Sequence, residues 1–261
     1  MVDDTKPTVL VTGASSGIGE ELARQAAKDK CDLLLVARNA DRLKSVAEML
    51  ASKYKVSVDT LALDVTVADA LAELDAVLEA QGRHVAVLIN NAGLGDIGPF
   101  AEADANRLND MVDLNVSALT ALSRHFLPGM LARDTGGILN VASTASFLPG
   151  PNMAVYYATK AYVLSLSDAM AYELKGTGVT VSALCPGPTA TGFQAAAHME
   201  GARLLKFSAV MSPGRVARIG WRAFKRGRRV KIAGLINLVQ SRLMPFTPRS
   251  LKLGLVSFLQ S

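Results

Sequence analysis

The chain has 261 residues, half of them hydrophobic, with charged residues at only 20% and a mean hydropathy of +0.25. Such a composition buries a large core and excludes intrinsic disorder, and the length suits one large α/β domain better than two full ones. The net charge of +5 hides a segregation: residues 1–200 carry a net −8, whereas residues 201–261 hold 13 Lys and Arg and no acidic residue at all.

Taken in chain order, the first two hundred residues alternate strand and helix signals. Thr8–Thr12 reads as a short apolar strand that breaks into a glycine-rich turn, Gly13–Gly19, followed by a helix over Glu20–Lys28. Asp32–Val36 is a second apolar run, Ala40–Lys53 a helix, and Val56–Leu63 a β-branched, alternating strand. Val67–Ala80 is spaced as a helix, and Val85–Ile89 and Ile138–Val141 read as buried strands with one long helix, about 105–131, between them. A second long helix, about 155–175, stops at Gly176 and Gly178, and the strand Val179–Leu184 ends at Pro186-Gly187-Pro188. Residues 189–211 look like a helical insertion over the substrate, Ser212-Pro213 opens another helix, and Arg229–Ala233 suits a last strand. Strands separated by helices at this spacing predict a doubly wound parallel sheet of about seven strands, a Rossmann fold. The expected division is a dinucleotide-binding and catalytic domain over 1–233 and a helical extension over 234–261 packed on it.

The turn Gly13-Ala14-Ser15-Ser16-Gly17-Ile18-Gly19 follows a strand and opens a helix. A phosphate needs backbone N–H groups at close range, which a side chain would block, and the helix N-terminus adds a favourable dipole. The spacing is Gly-x-x-x-Gly-x-Gly, neither a Walker loop nor the common Gly-x-Gly-x-x-Gly. With it come Asn90-Asn91-Ala92-Gly93 after the fourth strand, Asn115 in the following helix, Ser143 after the fifth, and Tyr156-x-x-x-Lys160. Together, in order and over about residues 5–195, these motifs resemble the short-chain dehydrogenase/reductase family.

The resemblance implies an NADP(H)-dependent oxidoreductase that moves a hydride between nicotinamide and a carbonyl or alcohol. It assigns Gly13, Ser15, Ser16, Gly17, Ile18 and Gly19 to the pyrophosphate loop, and Asn91, Ala92 and Gly93 to the cofactor wall. Asp64 and Val65, after the third strand, would meet the adenine. Pro186, Gly187, Thr189 and Thr191 would hold the carboxamide. Where family members that use NAD carry an acidic residue, after the second strand, this chain has Ala37 and then Arg38. A guanidinium there suits the 2′-phosphate of NADP(H).

Tyr156 and Lys160, four apart, share one helix face. An unperturbed phenol titrates near pH 10, too high to cycle protons at neutral pH, and a nearby ammonium is expected to lower that value. The resemblance makes Tyr156 the general acid/base, Lys160 its partner and a ribose ligand, Ser143 the holder of the substrate oxygen, and Asn115 the support of a water relay. Tyr157 is also in reach of Lys160, but the family spacing selects Tyr156 and leaves Tyr157 to packing. A non-catalytic NADPH-binding sensor or membrane-surface-associated regulatory protein of the same fold is the competing reading, and the intact Asn115, Ser143, Tyr156 and Lys160 argue against it.

Other chemistries lack support. Cys31 and Cys185 are too few for a disulfide scaffold or a cysteine zinc site, and their apolar surroundings predict buried thiols. His84, His125 and His198 share no metal-ligand spacing, so no metal is expected. No Gly-x-Ser-x-Gly elbow marks a serine hydrolase. Asp3 and Asp4 replace the basic start of a secretory leader, and no run of 18 apolar residues exists, so the expectation is a cytoplasmic protein without a membrane span. A substrate pocket of Leu94, Phe147, Leu148, Met153, Phe193, Met199, Leu204, Leu205, Phe207 and Met211 predicts a mostly apolar small molecule. Apolar residues on more than one face of helices 105–131 and 155–175 predict a homodimer or homotetramer. In the basic segment, Arg215 to Lys231 is interleaved with Ile219, Trp221 and Phe224. It suits either an anionic membrane surface or a cover over the chain's own acidic body, and the absence of a base-reading module argues against nucleic acid.

Overall fold

In the computed structural model, which describes residues 6–197, 210–244 and 247–260, seven strands form one parallel sheet in the order β3-β2-β1-β4-β5-β6-β7. The strands are β1 (Lys6–Thr12), β2 (Asp32–Ala37), β3 (Val58–Ala62), β4 (Arg83–Asn90), β5 (Gly136–Val141), β6 (Val179–Cys185) and β7 (Val230–Ile232). The predicted doubly wound Rossmann architecture is therefore present. The order reverses at β1, and the crevice between the ends of β1 and β4 is where such sheets bind ligands.

The sheet is buried on both faces, so its strands are nearly continuous apolar runs. Val9, Val11, Leu33 and Leu35 face one way, into a core closed by α1 (Gly17–Lys28), α2 (Ala40–Tyr54) and α8 (Pro213–Lys225). Leu10, Leu34, Val36, Leu88 and Ile138 face the other way, under α3 (Ala70–Ala80), α5 (Leu119–Ala132) and part of α6 (Ala154–Glu173). The period of two along a strand sorts an all-apolar run onto two opposite cores.

Three local expectations change. The helix predicted from Val67 begins at Ala70, because Val67 closes a turn by donating to the Asp64 carbonyl. The single long helix predicted over 105–131 is α4 (Ala105–Val112), a π-helical segment (Asp113–Ala118) and α5. Cys185 is buried as expected, but Cys31, at the turn into β2, is only half-buried.

Trp221 and Phe224 of α8 are core residues, their rings 5.5 Å apart, and Trp221 donates to Asp29 at 2.7 Å. The mixture of basic and aromatic residues that suggested a membrane surface is, in α8, an amphipathic helix with its aromatics inside. Two of its neighbouring cations meet the acidic body: Lys225 pairs with Asp29, and Arg229 with Asp168 at 3.4 Å. After β7 come α9 (Leu235–Leu243) and α10 (Arg249–Gln260). Residues 198–209, with the predicted pocket residues Met199, Leu204, Leu205 and Phe207, lie outside the described residues.

Candidate active site

A cleft of about 820 Å³ opens over the carboxyl ends of the strands, between the β1 turn and the loops after β4, β5 and β6. The glycine turn forms one wall. Gly13 and Gly17 both have φ +63°, a left-handed backbone that glycine adopts without a Cβ clash. Gly19 lies beneath, where a Cβ would collide with the Gly13 carbonyl and the Asn91 amide. Ser15, Ser16 and Ile18 line the cleft beside Gly13 and Gly17, and the backbone of the turn is open to it.

The turn is stitched to β4 by a contact that sequence reasoning missed. Thr12 Oγ1 accepts from the backbone N–H of Asn91 at 3.0 Å and of Ala92 at 3.1 Å. In return the Asn91 side chain donates to the carbonyls of Thr12 and Gly13 at 3.0 and 3.1 Å. Asn91 therefore spends its amide on the glycine loop, and what it and Ala92 and Gly93 present to the cleft is chiefly backbone. A threonine ending a strand before a glycine turn was the available signal.

At the far end, Arg38 stands at the rim with its side chain 78% exposed, its nearest anion the Asp64 carboxylate at 3.7 Å. Burial raises the Asp64 pKa, but the Thr66 hydroxyl and N–H, at 2.7 and 3.0 Å, and Arg38 more than offset it, so the carboxyl sits below its usual range. Val65 lines the same end. Arg42, one turn into α2, also faces the cleft. Its separation of four residues from Arg38 was legible in the sequence.

The opposite end holds the side chains expected to do chemistry. Ser143 follows β5 in extended backbone, and its hydroxyl accepts from Ala145 N–H at 3.1 Å. It lines the cleft with the Tyr156 phenol, whose pKa it draws down. Lys160, one turn on from Tyr156, is buried; its Nζ donates to the Val141 carbonyl at 2.9 Å and lies 6.0 Å from the centre of the Tyr156 ring. Burial pushes the phenol up to about 12, with the Ser143 hydrogen bond opposing and Tyr157 adding to the rise. Burial likewise draws the Lys160 ammonium down to about 8, with the Cys185 sulfur opposing. The expected lowering of the phenol by Lys160 is thus not what this geometry produces. The ammonium faces a backbone carbonyl, and the desolvation of both groups dominates. Tyr157 is buried against Gly150, the packing role expected of it.

Asn115 is buried in the π-helical segment, a feature that often marks a functional position. Its amide donates to the Leu94 carbonyl at 2.8 Å and to Thr159 Oγ1 at 3.0 Å, and its carbonyl accepts from Leu94 N–H at 2.9 Å. Both ends of the amide are committed, so the side chain holds the loop after β4 against α6. Its Oδ1 would stand 3.2 Å from a Cβ on Gly93, and Lys160 Nζ 3.3 Å, so glycine there leaves the space between them open.

Pro186, Gly187, Thr189 and Thr191 complete the rim after β6. Thr191 reaches across the cleft: its Cγ2 would lie 3.2 Å from a Cβ at Gly17. Of the predicted pocket residues, Leu94, Met153 and Phe193, the first residue of α7 (Phe193–Ala196), line the cleft, the Phe193 ring 5.4 Å from that of Tyr156. Phe147 and Leu148 pack into neighbouring apolar clusters, and Met211 is buried in the main core, tied to Thr189 by a β-bridge. Among the described residues, no cluster of His, Cys, Asp or Glu could hold a metal ion.

The short chain dehydrogenase family profile matches residues 7–200. An uncharacterized oxidoreductase of Bacillus subtilis, YvrD, is 37% identical over 194 residues, 74% of this chain and 72% of its own. The very-long-chain 3-oxoacyl-CoA reductase of Bos taurus is 33% identical over 70% of this chain and 59% of its own. Among solved structures, a short-chain dehydrogenase from Sphingobium yanoikuyae in complex with NADPH superposes with a TM-score of 0.81 at 33% identity, covering 94% of this chain and 98% of the other. The bulky-bulky ketone specific alcohol dehydrogenase from Comamonas testosteroni gives 0.76 at 30% identity, covering 94% and 96%. The chain belongs to the short-chain dehydrogenase family of oxidoreductases, which bind a nicotinamide cofactor.

Proposed function

We propose that this protein is an NADPH-dependent carbonyl reductase or alcohol dehydrogenase whose substrate is a mostly apolar small molecule. The observation that carries the reading is Tyr156, in one cleft with Ser143, a buried Lys160 and the glycine turn. The backbone of Gly13–Gly19 and the start of α1 fit a pyrophosphate, since a Cβ at either Gly13 or Gly19 would close the turn. NADPH, when bound, supplies the hydride. Arg38, and Arg42 beside it, would hold its 2′-phosphate, and Ala37 stands where family members that use NAD carry an acidic residue. Lys160 would hold the ribose, and the Pro186–Thr191 rim the carboxamide.

The chain's own residues then handle the oxygen and the proton. The substrate oxygen accepts hydrogen bonds from the Ser143 and Tyr156 hydroxyls, which stabilise the negative charge developing on it. Tyr156 gives its proton to that oxygen. A phenol raised by burial is fully protonated at neutral pH, the form that carbonyl reduction needs. Lys160 stands beside the ring, its Nζ 6.0 Å from the ring centre, as the phenolate forms. Asn115 positions the Leu94 loop, which forms the wall opposite Tyr156.

Leu94, Met153 and Phe193 at the reactive end support an apolar carbonyl substrate, in keeping with the bulky ketones and long-chain acyl groups in the names of related proteins. Val112 and Leu131 on the α4–α5 face, and Tyr162 and Tyr172 on α6, are exposed and support a homodimer or homotetramer, checked by light scattering. The deciding experiment is loss of NADPH absorbance against a panel of ketones, aldehydes and quinones. Consumption with apolar ketones, absent in Tyr156→Phe, is the expected result. No turnover by wild type with any carbonyl, despite tight NADPH binding, would favour a sensor.

A further inference from the structure

The basic C-terminal segment is not absorbed by the reaction, and the structure divides it in two. α8 turns its aromatics inward, as described above. α9 does the opposite. Its two buried side chains, Asn237 and Ser241, are both polar. Leu235, Ile236, Val239 and Leu243 are 75%, 58%, 48% and 62% exposed. At 3.6 residues per turn these four fall within about 100° of the helix circumference, on the side away from Asn237 and Ser241. An amphipathic helix in a soluble fold buries the opposite face.

The inverted orientation is held by specific contacts. Asn237 donates to the Ala233 carbonyl at 2.6 Å, and its side chain fills the space where a Cβ on Gly187 would be. The polar face is thus fitted to the loop after β6, and no rotation of α9 can hide the apolar face without breaking that fit. The charged residues on and next to α9 in the chain are cationic. Arg242 lies on its flank, exposed, and the exposed Lys231 stands on edge strand β7 four residues before Leu235. No acidic residue occurs anywhere in residues 201–261.

We propose that the outward face of α9 docks on an anionic lipid surface. Four exposed aliphatic side chains with basic neighbours are what an interfacial helix presents to the headgroup boundary. A second copy of the chain fits the same face poorly. A two-fold contact would place Arg242 and Lys231 of each copy in the vicinity of the other's, with no acidic residue in the segment to neutralise them. Because the inner face of α9 seats on Gly187 in the cleft wall, a bilayer on its outer face lies about one helix diameter, roughly 10 Å, from the cleft. Such a site would let an apolar substrate pass from lipid to the cleft.

The test is sedimentation of the full chain with vesicles of phosphatidylcholine alone or mixed with phosphatidylserine. Wild type is expected to bind the anionic vesicles, to bind neutral ones weakly, and to be released by salt. The double variant Leu235→Glu with Leu243→Glu is expected to lose binding by at least about tenfold. Both positions are exposed, and thermal unfolding and NADPH titration should match wild type, which keeps this result separate from the cofactor reading. Arg242→Gln, a second and milder variant, is expected to weaken anionic-vesicle binding by about fivefold. Equal binding to neutral and anionic vesicles, or none to either, would overturn the proposal. So would a drop in oligomer mass for the double variant, which would show that a second copy covers the face.

Discussion

The two ends of the cleft are built from different materials. The end proposed for the cofactor is backbone: a glycine turn with two positive-φ residues, locked to β4 by Thr12 and Asn91. The end proposed for the chemistry is side chain: Ser143, Tyr156 and Lys160, set by β5 and α6. A surface of backbone is damaged by adding atoms, because there is no spare room. A constellation of side chains is damaged by removing them, because each polar atom is committed to particular partners. The contrast predicts opposite sensitivities, and single substitutions can break it.

The largest effect is expected at the reactive end. Tyr156→Phe removes one oxygen and should cut turnover about 10²–10⁴-fold while leaving NADPH binding near normal. Tyr157→Phe, at a packing position, should be mild. Steady-state NADPH oxidation and a binding titration on both variants check this, and near-normal turnover by Tyr156→Phe would remove the residue from its assigned role.

At the cofactor end the damaging change is a single added methyl. Gly19→Ala forces a Cβ onto the Gly13 carbonyl and the Asn91 amide and should destabilise the fold by about 3 kcal/mol, with loss of NADPH binding. Denaturant unfolding measures the first, a binding titration the second. A Gly19→Ala protein of wild-type stability and affinity would show that the turn has room.

Lys160 separates stability from function. Its ammonium is buried and its pKa falls from 10.5 to about 8, so between these values the unfolded chain binds more protons than the folded one. The destabilisation is therefore full below pH 8 and fades as the pH rises toward 10.5. At about 1.4 kcal/mol per unit it amounts to roughly 3 kcal/mol, less about 1 for the hydrogen bond to Val141. Lys160→Met should accordingly be more stable than wild type by about 1–3 kcal/mol at pH 7, by a margin that shrinks in alkali, and inactive. Chemical unfolding at several pH values tests the sign.

The smallest effect is expected at Arg38, which is exposed and so screened by solvent. Arg38→Ala should weaken NADPH by about tenfold, the worth of one charge-assisted hydrogen bond, and NADH by much less. Equal losses for the two cofactors would make Arg38 a solvated rim residue.

Much of this was determined by the sequence alone. Apolar runs of strand length, the glycine spacing and the ordered Asn, Ser, Tyr and Lys motifs are local signals, and the seven-stranded parallel sheet followed from their alternation. Tertiary structure decided what depends on neighbours distant in the chain. The tie from Thr12 to Asn91 spans 79 residues, and the commitment of the Asn115 amide to Leu94 and Thr159 needs three separate elements to meet. Burial pushes the Tyr156 phenol up while the Lys160 ammonium is aimed at Val141, and spacing along a helix carries no information on either. The basic tail shows the same limit. Trp221 in α8 and Leu235 in α9 are both large and apolar beside cations, yet one is core and the other is 75% exposed. Hydrophobicity states what a residue gains by burial, whereas only the packing of α1 against α8, and of Asn237 against Gly187, settles which residue is buried.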